Sequence, residues 1–217
     1  MGAWEGMRIQ ALFFDNDGVL VDSEHCYFEA NRRVLAEHGI AMDFEDYHEH
    51  FLRTSTGIHH FFPEASQEFL ADFRRKRMQH HLDLLASEPI LIPGVKEVLS
   101  RLRGHFRMGV VTSSEKKPFS LIHARTGLSD FFDFTVCRED VRFSKPHPEP
   151  YLKALALSGF PREACLVIED AERGLRAALA AGLRCWVLPG PLNSQGDFSG
   201  AERVLEHIGV LPSLLLP

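Results

Sequence analysis

Two aspartates separated by one residue, Asp15 and Asp17, follow a short apolar run at residues 9–14 and precede Gly18. A second acidic pair, Glu169 and Asp170, ends another apolar run at residues 165–168. A carboxylate displayed at a strand end can attack the phosphorus of a phosphomonoester and form an acyl phosphate, splitting one difficult hydrolysis into two easier displacements. Asp15 is the candidate nucleophile. The departing alkoxide needs a proton and the water of the second step needs a base. A carboxyl two residues along can serve both, which makes Asp17 the candidate acid and base. Gathering these four acids would be self-repelling, so such a site must raise some pKa values or hold cations. Hard oxygen ligands select Mg2+, which keeps several waters and takes one or two carboxylates plus a substrate phosphate oxygen.

The elements that position these groups can be read around them. Residues 9–14, broken only by Gln10, have the pattern of a buried strand in a parallel sheet. Gly18 permits a sharp turn after the acids, so both can sit just beyond the strand's C-terminal edge, where open α/β sheets bind ligands. Thr112-Ser113-Ser114 follows a third apolar run at residues 108–111, and Lys145-Pro146 lies between the second and third signals. Each has an ordinary reading alone: Asp-x-Asp-Gly as a solvated turn, Lys145 as an exposed loop lysine, Thr112 and Asp170 as helix caps. Their joint occurrence at the ends of strand-like segments favours a phosphoryl-transfer site.

On these motifs, Asp15-Asn16-Asp17-Gly18-Val19-Leu20, Thr112, Lys145, and Glu169-Asp170 with Gly174 downstream, the chain resembles the haloacid dehalogenase superfamily of phosphohydrolases. Within it the resemblance is to the branch containing β-phosphoglucomutase and related sugar phosphatases. It implies that Asp15, Asp170 and the backbone carbonyl of Asp17 hold Mg2+, with Glu169 as a ligand or outer partner. It also implies that Thr112 and Lys145 bind the transferring phosphoryl group, joined by amide groups after Asn16 and near Ser113. The superfamily's dehalogenases lack an acid at the position of Asp17, so phosphate chemistry is expected. Two departures stand out: Asn16 occupies a place that is frequently apolar, and Ala171 replaces a common serine.

Beyond the first acids, residues 22–38 change to helical spacing, with Tyr27, Ala30, Val34 and Leu35 on one face and Gly39 as a stop. Further helices are expected over residues 44–52 and 66–85, the latter packing through Phe69, Phe73, Leu82 and Leu85. The loop at residues 54–57 lies between them. An all-helical block inserted after the first strand reads as a separate domain, giving residues 22–91 as a helical cap and residues 1–21 with 92–217 as the core. From residue 94 helices and strands alternate through residue 188, the signature of an α/β fold with a Rossmann-like, doubly wound parallel sheet. A short helix is expected at residues 201–208, with the apolar end at residues 211–216 docked on the core.

In the cap, Tyr27 falls where β-phosphoglucomutase has a histidine, and the loop holding Thr56 shows no counterpart of that enzyme's substrate-gripping arginine. Lys76 aligns with its cap lysine, and Arg53 is the candidate replacement grip. A mutase must hold a bisphosphate and exclude water, so these losses favour hydrolysis over the alternative of a phosphosugar mutase. A non-catalytic phosphometabolite-binding protein is disfavoured by the complete motif set.

Composition bounds the rest. A chain of 217 residues, 45% hydrophobic and 25% charged, suits one α/β core plus a smaller module. The formal net charge of −6 argues against non-specific nucleic-acid binding, although residues 74–77 form a local basic run. Four scattered cysteines without Cys-x-x-Cys spacing suggest neither zinc nor a redox pair. No apolar run is long enough to span a membrane, residues 1–7 lack a signal peptide's pattern, and Gly6 removes the myristoylation consensus. The expectation is a cytoplasmic, Mg2+-dependent phosphatase, monomeric or a weak homodimer, acting on a small phosphorylated metabolite without membrane or nucleic-acid partners.

Overall fold

The computed structural model describes residues 8–54 and 56–217, so the expectations for residues 1–7 and for Ser55 of the cap loop lie outside the described residues. The chain forms two compact units, residues 1–22 with 90–217 and residues 23–89.

In the larger unit the apolar runs become the strands of one parallel sheet: β1 (Ala11–Phe14), β2 (Arg107–Val111), β3 (Phe134–Val136), β4 (Cys165–Glu169), β5 (Arg184–Val187) and β6 (Arg203–Val204). Their order is β3-β2-β1-β4-β5-β6. Strand periodicity sorts β1 between two faces. Ala11 and Phe13 enter a core with Tyr151, Ala154, Leu175, Ala177 and Ala178. Phe14, on the other face, meets Phe132 edge-on, and Phe132 in turn lies against His123. Helices therefore cover both faces, as the doubly wound reading requires.

Those helices, with the smaller unit's, run in chain order as α1 (Glu24–Glu37), α2 (Phe44–Tyr47), α3 (Ile58–Phe61), α4 (Gln67–Ser87), α5 (Val95–Leu102), α6 (Lys116–Thr126), α7 (Glu149–Ser158), α8 (Glu172–Ala180) and α9 (Leu211–Leu215). After β3 the chain crosses back to place β4 beside β1, so the strand order reverses between β1 and β4. Ligands bind at such a point in open α/β sheets, outside the strands' C-terminal ends. The amide of Asp15 still donates to Ile168 O at 2.9 Å, so the ladder carries the first acid up to the end of β4.

The smaller unit is built on α1 and α4, with Val34, Leu35, Met42, Tyr47, Ile58, Leu70 and Phe73 buried together. Two details differ from the sequence reading. The buried stripe on α4 is Leu70, Phe73, His81, Leu84 and Leu85; Phe69 packs on this core while partly buried, and Leu82 is only partly buried, because steps of three and four from Leu70 put it at the margin. Residues 44–52 do not form one α-helix: α2 is capped by Asp43 and gives way to a π-helical turn, His48–Arg53.

The helix expected at residues 201–208 is also absent. Glu202 and Leu205 amides donate to Cys185 O and Val187 O at 2.9 and 2.8 Å, and Arg184 pairs twice with Glu202 at 2.6 Å. The unpaired edge of β5 captures this segment as β6, because its backbone bonds are satisfied there. The four cysteines are free and buried, and no helix among the described residues is long and apolar enough to cross a membrane.

Candidate active site

Three loops at the C-terminal ends of β1, β2 and β4, and the crossover leaving β3, converge on one buried group. Asp15 leaves β1 directly. Gly18 turns the chain with φ +85°, and a Cβ there would lie 2.0 Å from Asp170 Oδ2, so the turn needs glycine for both conformation and room. Gly174 serves Glu169 in the same way: a Cβ on it would fall 2.0 Å from the Glu169 carboxyl carbon.

Lys145 lies at the centre. Its ammonium donates to Asp15 Oδ1 at 2.6 Å, Glu169 Oε1 at 2.6 Å and Val111 O at 2.8 Å, which uses all three of its donors. Its side chain is 3% exposed, so the surface-lysine reading fails. Burial pulls its pKa down, but the attraction of Asp15 and Glu169 more than offsets this and holds it above the ordinary value. Burial dominates the other way for the acids. It pushes Asp15 up to about 7, against the pull of Lys145, and it pushes Asp170 well above the carboxylate range.

One oxygen from each of Asp15, Glu169 and Asp170 lies within 4.8 Å of the others. Three buried carboxylates against one lysine leave an excess of negative charge, and hard oxygen donors at this spacing fit Mg2+. The carboxylate of Asp17 stands apart from this cluster and instead accepts from Ser114 Oγ at 2.8 Å and Thr112 Oγ1 at 3.2 Å. Thr112 also accepts the Ser114 amide at 2.9 Å. Neither Thr112 nor Asp170 caps a helix through its side chain, since Glu115 and Ala171 hold those positions. The Ser113 hydroxyl is buried without a partner among the described residues.

Asn16, expected near the phosphate through its amide neighbourhood, turns its side chain inward. It is wholly buried, and its Oδ1 lies 2.9 Å from His123 Nε2 on α6. Burial pushes His123 down from 6.5 to about 4, against the pull of Asp17. The neutral imidazole is then the donor to Asn16 Oδ1. Because its folded pKa lies below its unfolded one, the unfolded chain binds the proton first as pH falls. The ring's contribution is complete above about pH 6.5 and is lost between there and pH 4, about 3 kcal/mol in all. Urea unfolding across that window should show His123→Phe with a stability slope shallower by about one proton than the parent. Parallel slopes would mean that His123 is protonated in the fold.

The cap candidates are each engaged locally. Arg53 pairs with Glu49 one turn earlier, Thr56 bonds His50 Nδ1 at 3.2 Å, and Lys76 meets Glu37 at 2.6 Å. The basic run is neutralised in part, with Arg75 on Asp72 and Arg77 donating to Tyr27 OH at 2.5 Å.

Three contributors escape the sequence reading. Tyr151 on α7 donates to Glu169 Oε1 and lies under the Lys145 ammonium, 5.1 Å from its ring centre. Ser114 holds Asp17, and Asn193 Nδ2 donates to Asp170 Oδ2 at 2.6 Å. The rule that ligands gather at strand C-terminal ends points to the loop after β5, where Asn193 lies. Tyr151 carries no such signal.

Residues 9–182 match the family model described as haloacid dehalogenase-like hydrolase. The protein CbbY of Rhodobacter capsulatus is 29% identical over 97% of this chain and 99% of its own. A phosphorylated carbohydrates phosphatase of Thermotoga maritima is 32% identical over 81% of this chain and 82% of its own. A solved variant of CbbY from Rhodobacter sphaeroides, in complex with xylulose-(1,5)bisphosphate, superposes with a TM-score of 0.84. It is 29% identical and covers 94% of this chain and 96% of that one.

Proposed function

The chain belongs to the haloacid dehalogenase-like hydrolases and is an enzyme of their phosphatase kind, and from that premise we propose that it is a Mg2+-dependent phosphatase of a small phosphorylated sugar, working through an aspartyl phosphate on Asp15. The observation that carries this reading is the buried triad of Asp15, Glu169 and Asp170 with Lys145 bonded to two of its members.

Asp15, Asp170 and the backbone carbonyl of Asp17 are the residues assigned to the cation, with Glu169 beside them as ligand or outer partner. Bound there, Mg2+ supplies charge neutralisation for Asp15 and for the phosphoryl oxygens. Asp15 attacks phosphorus while Asp17 gives its proton to the leaving alkoxide, and the acyl phosphate forms as the P–O ester bond breaks. Asp17, now ionised, takes a proton from water, which attacks the same phosphorus and returns the Asp15 carboxylate. The bonds from Thr112 and Ser114 hold Asp17 beside the nucleophile's turn, and Lys145 fixes Asp15 and offsets part of the effect of burial on it. With the Thr112 hydroxyl given to Asp17, the Ser113 hydroxyl and the amides following Asn16 are the donors assigned to the phosphoryl oxygens. Recognition of the sugar is assigned to the helical unit, with Arg53, Thr56 and Lys76 as its polar candidates.

The relatives' names support the substrate class, since one acts on phosphorylated carbohydrates and another was solved with a ketopentose bisphosphate. Phosphate release across a panel of sugar monophosphates and bisphosphates, with and without Mg2+, tests it. Mg2+-dependent release from phosphosugars is expected, and activation by a sugar bisphosphate with little phosphate freed would instead identify a mutase.

A further inference from the structure

We propose that Asn193 is a positioning residue for the cation, fixing Asp170 so that one carboxylate oxygen is held by the protein and the other is presented to the metal. This inference rests on the reading that Mg2+ binds among Asp15, Glu169 and Asp170.

Asp170 is 6% exposed, and its Oδ2 accepts the Asn193 amide at 2.6 Å. The Asn193 carboxamide is its hydrogen-bond donor, while Lys145 and Arg173 draw on it by charge. Lys145, the buried cation of the site, gives its three bonds to Asp15, Glu169 and the Val111 carbonyl. A buried carboxylate with no donor is costly and rotates to whatever partner it can find, so Asn193 decides its orientation. With Oδ2 so engaged and packed over Gly18, Oδ1 is left for a metal ion.

The loop that carries Asn193 is itself tied down. The Asn193 amide donates to Gly190 O at 3.0 Å, and its carbonyl accepts from the Gly196 amide at 3.0 Å. The Asp197 amide then bonds Glu172 Oε2 at 3.1 Å. Glu172 begins α8 two residues after Asp170, so the loop is strapped to the segment that its side chain serves. The residue type suits the task as well: a carboxamide donates to a carboxylate without carrying charge, whereas a lysine or arginine there would compete with the cation.

The test is Mg2+ affinity measured by titration calorimetry on the wild-type chain, Asn193→Ala and Asn193→Leu, the last keeping the volume while removing the donor. Metal-free melting temperature is measured alongside. Both variants are expected to bind Mg2+ about tenfold or more weakly, the usual loss for an outer-shell partner, with metal-free melting near wild type. Wild-type affinity in both would overturn the assignment. So would weaker binding that tracks a lowered metal-free melting temperature, which would make Asn193 a residue of the loop's fold. A wild-type chain that binds no Mg2+ would overturn the metal reading itself, a result distinct from either.

Discussion

Asp15→Asn is expected to lower phosphate release by at least about 10^4-fold while leaving the protein folded, because the attacking oxygen is lost and no neighbour can replace it. Glu169 is committed to Lys145 and Tyr151, and Asp17 to Ser114 and Thr112. The same substitution should stabilise the metal-free chain at alkaline pH. Burial raises the Asp15 pKa from 3.8 to about 7, so the ionised group is disfavoured in the fold. Between those values the unfolded state carries fewer protons than the folded one, and stability from this group falls as pH rises. The penalty is absent below about pH 3.8 and complete above about pH 7. Thermal unfolding at pH 8 without Mg2+ should therefore place the variant above the parent, and added Mg2+ should raise the parent more. A variant melting below the parent would show that Asp15 is stabilised as an anion by Lys145 alone.

The second large effect is expected of Lys145→Met. The substitution keeps a long flexible chain but removes the ammonium that bridges Asp15 and Glu169, leaving two buried carboxylates facing each other. Breaking a buried ion pair by deleting one partner costs about 3–5 kcal/mol, which in a chain of this size lowers the melting temperature by about 10 °C. Activity should fall by about 10^3-fold, since the ammonium that fixes the Asp15 carboxylate in place is lost. Steady-state kinetics and melting with and without Mg2+ check both parts, and the metal is expected to restore part of the stability and little of the rate. At pH 8, where Asp15 is ionised, a variant as stable as the parent would mean that one of the two carboxylates is neutral in the fold.

These effects meet at residues whose positions could be read because strand ends are local. An apolar run that stops at Asp15, Thr112 or Glu169 marks a sheet edge, and all parallel strands present that edge on one side. The alternation of helices and strands after residue 94 then fixed the layers. What local pattern could not supply is tertiary. The inward turn of Asn16 depends on His123 lying 107 residues away, and the donor to Asp170 comes from a loop 23 residues downstream. Residues 201–208 have helical composition, yet the open edge of β5 decides their structure through two backbone bonds. The margin between Leu70 and Phe69 on α4 is likewise one step of helical phase, settled by packing against α1.

The most direct test of an acyl phosphate on Asp15 is chemical trapping. The enzyme is mixed with Mg2+ and a phosphosugar that it turns over, quenched within a turnover, reduced with borohydride, and mapped by peptide mass spectrometry. Reduction of an aspartyl phosphate gives homoserine, which is expected at position 15 and nowhere else. Turnover with an unmodified Asp15, or homoserine at Asp17, Glu169 or Asp170, would contradict it.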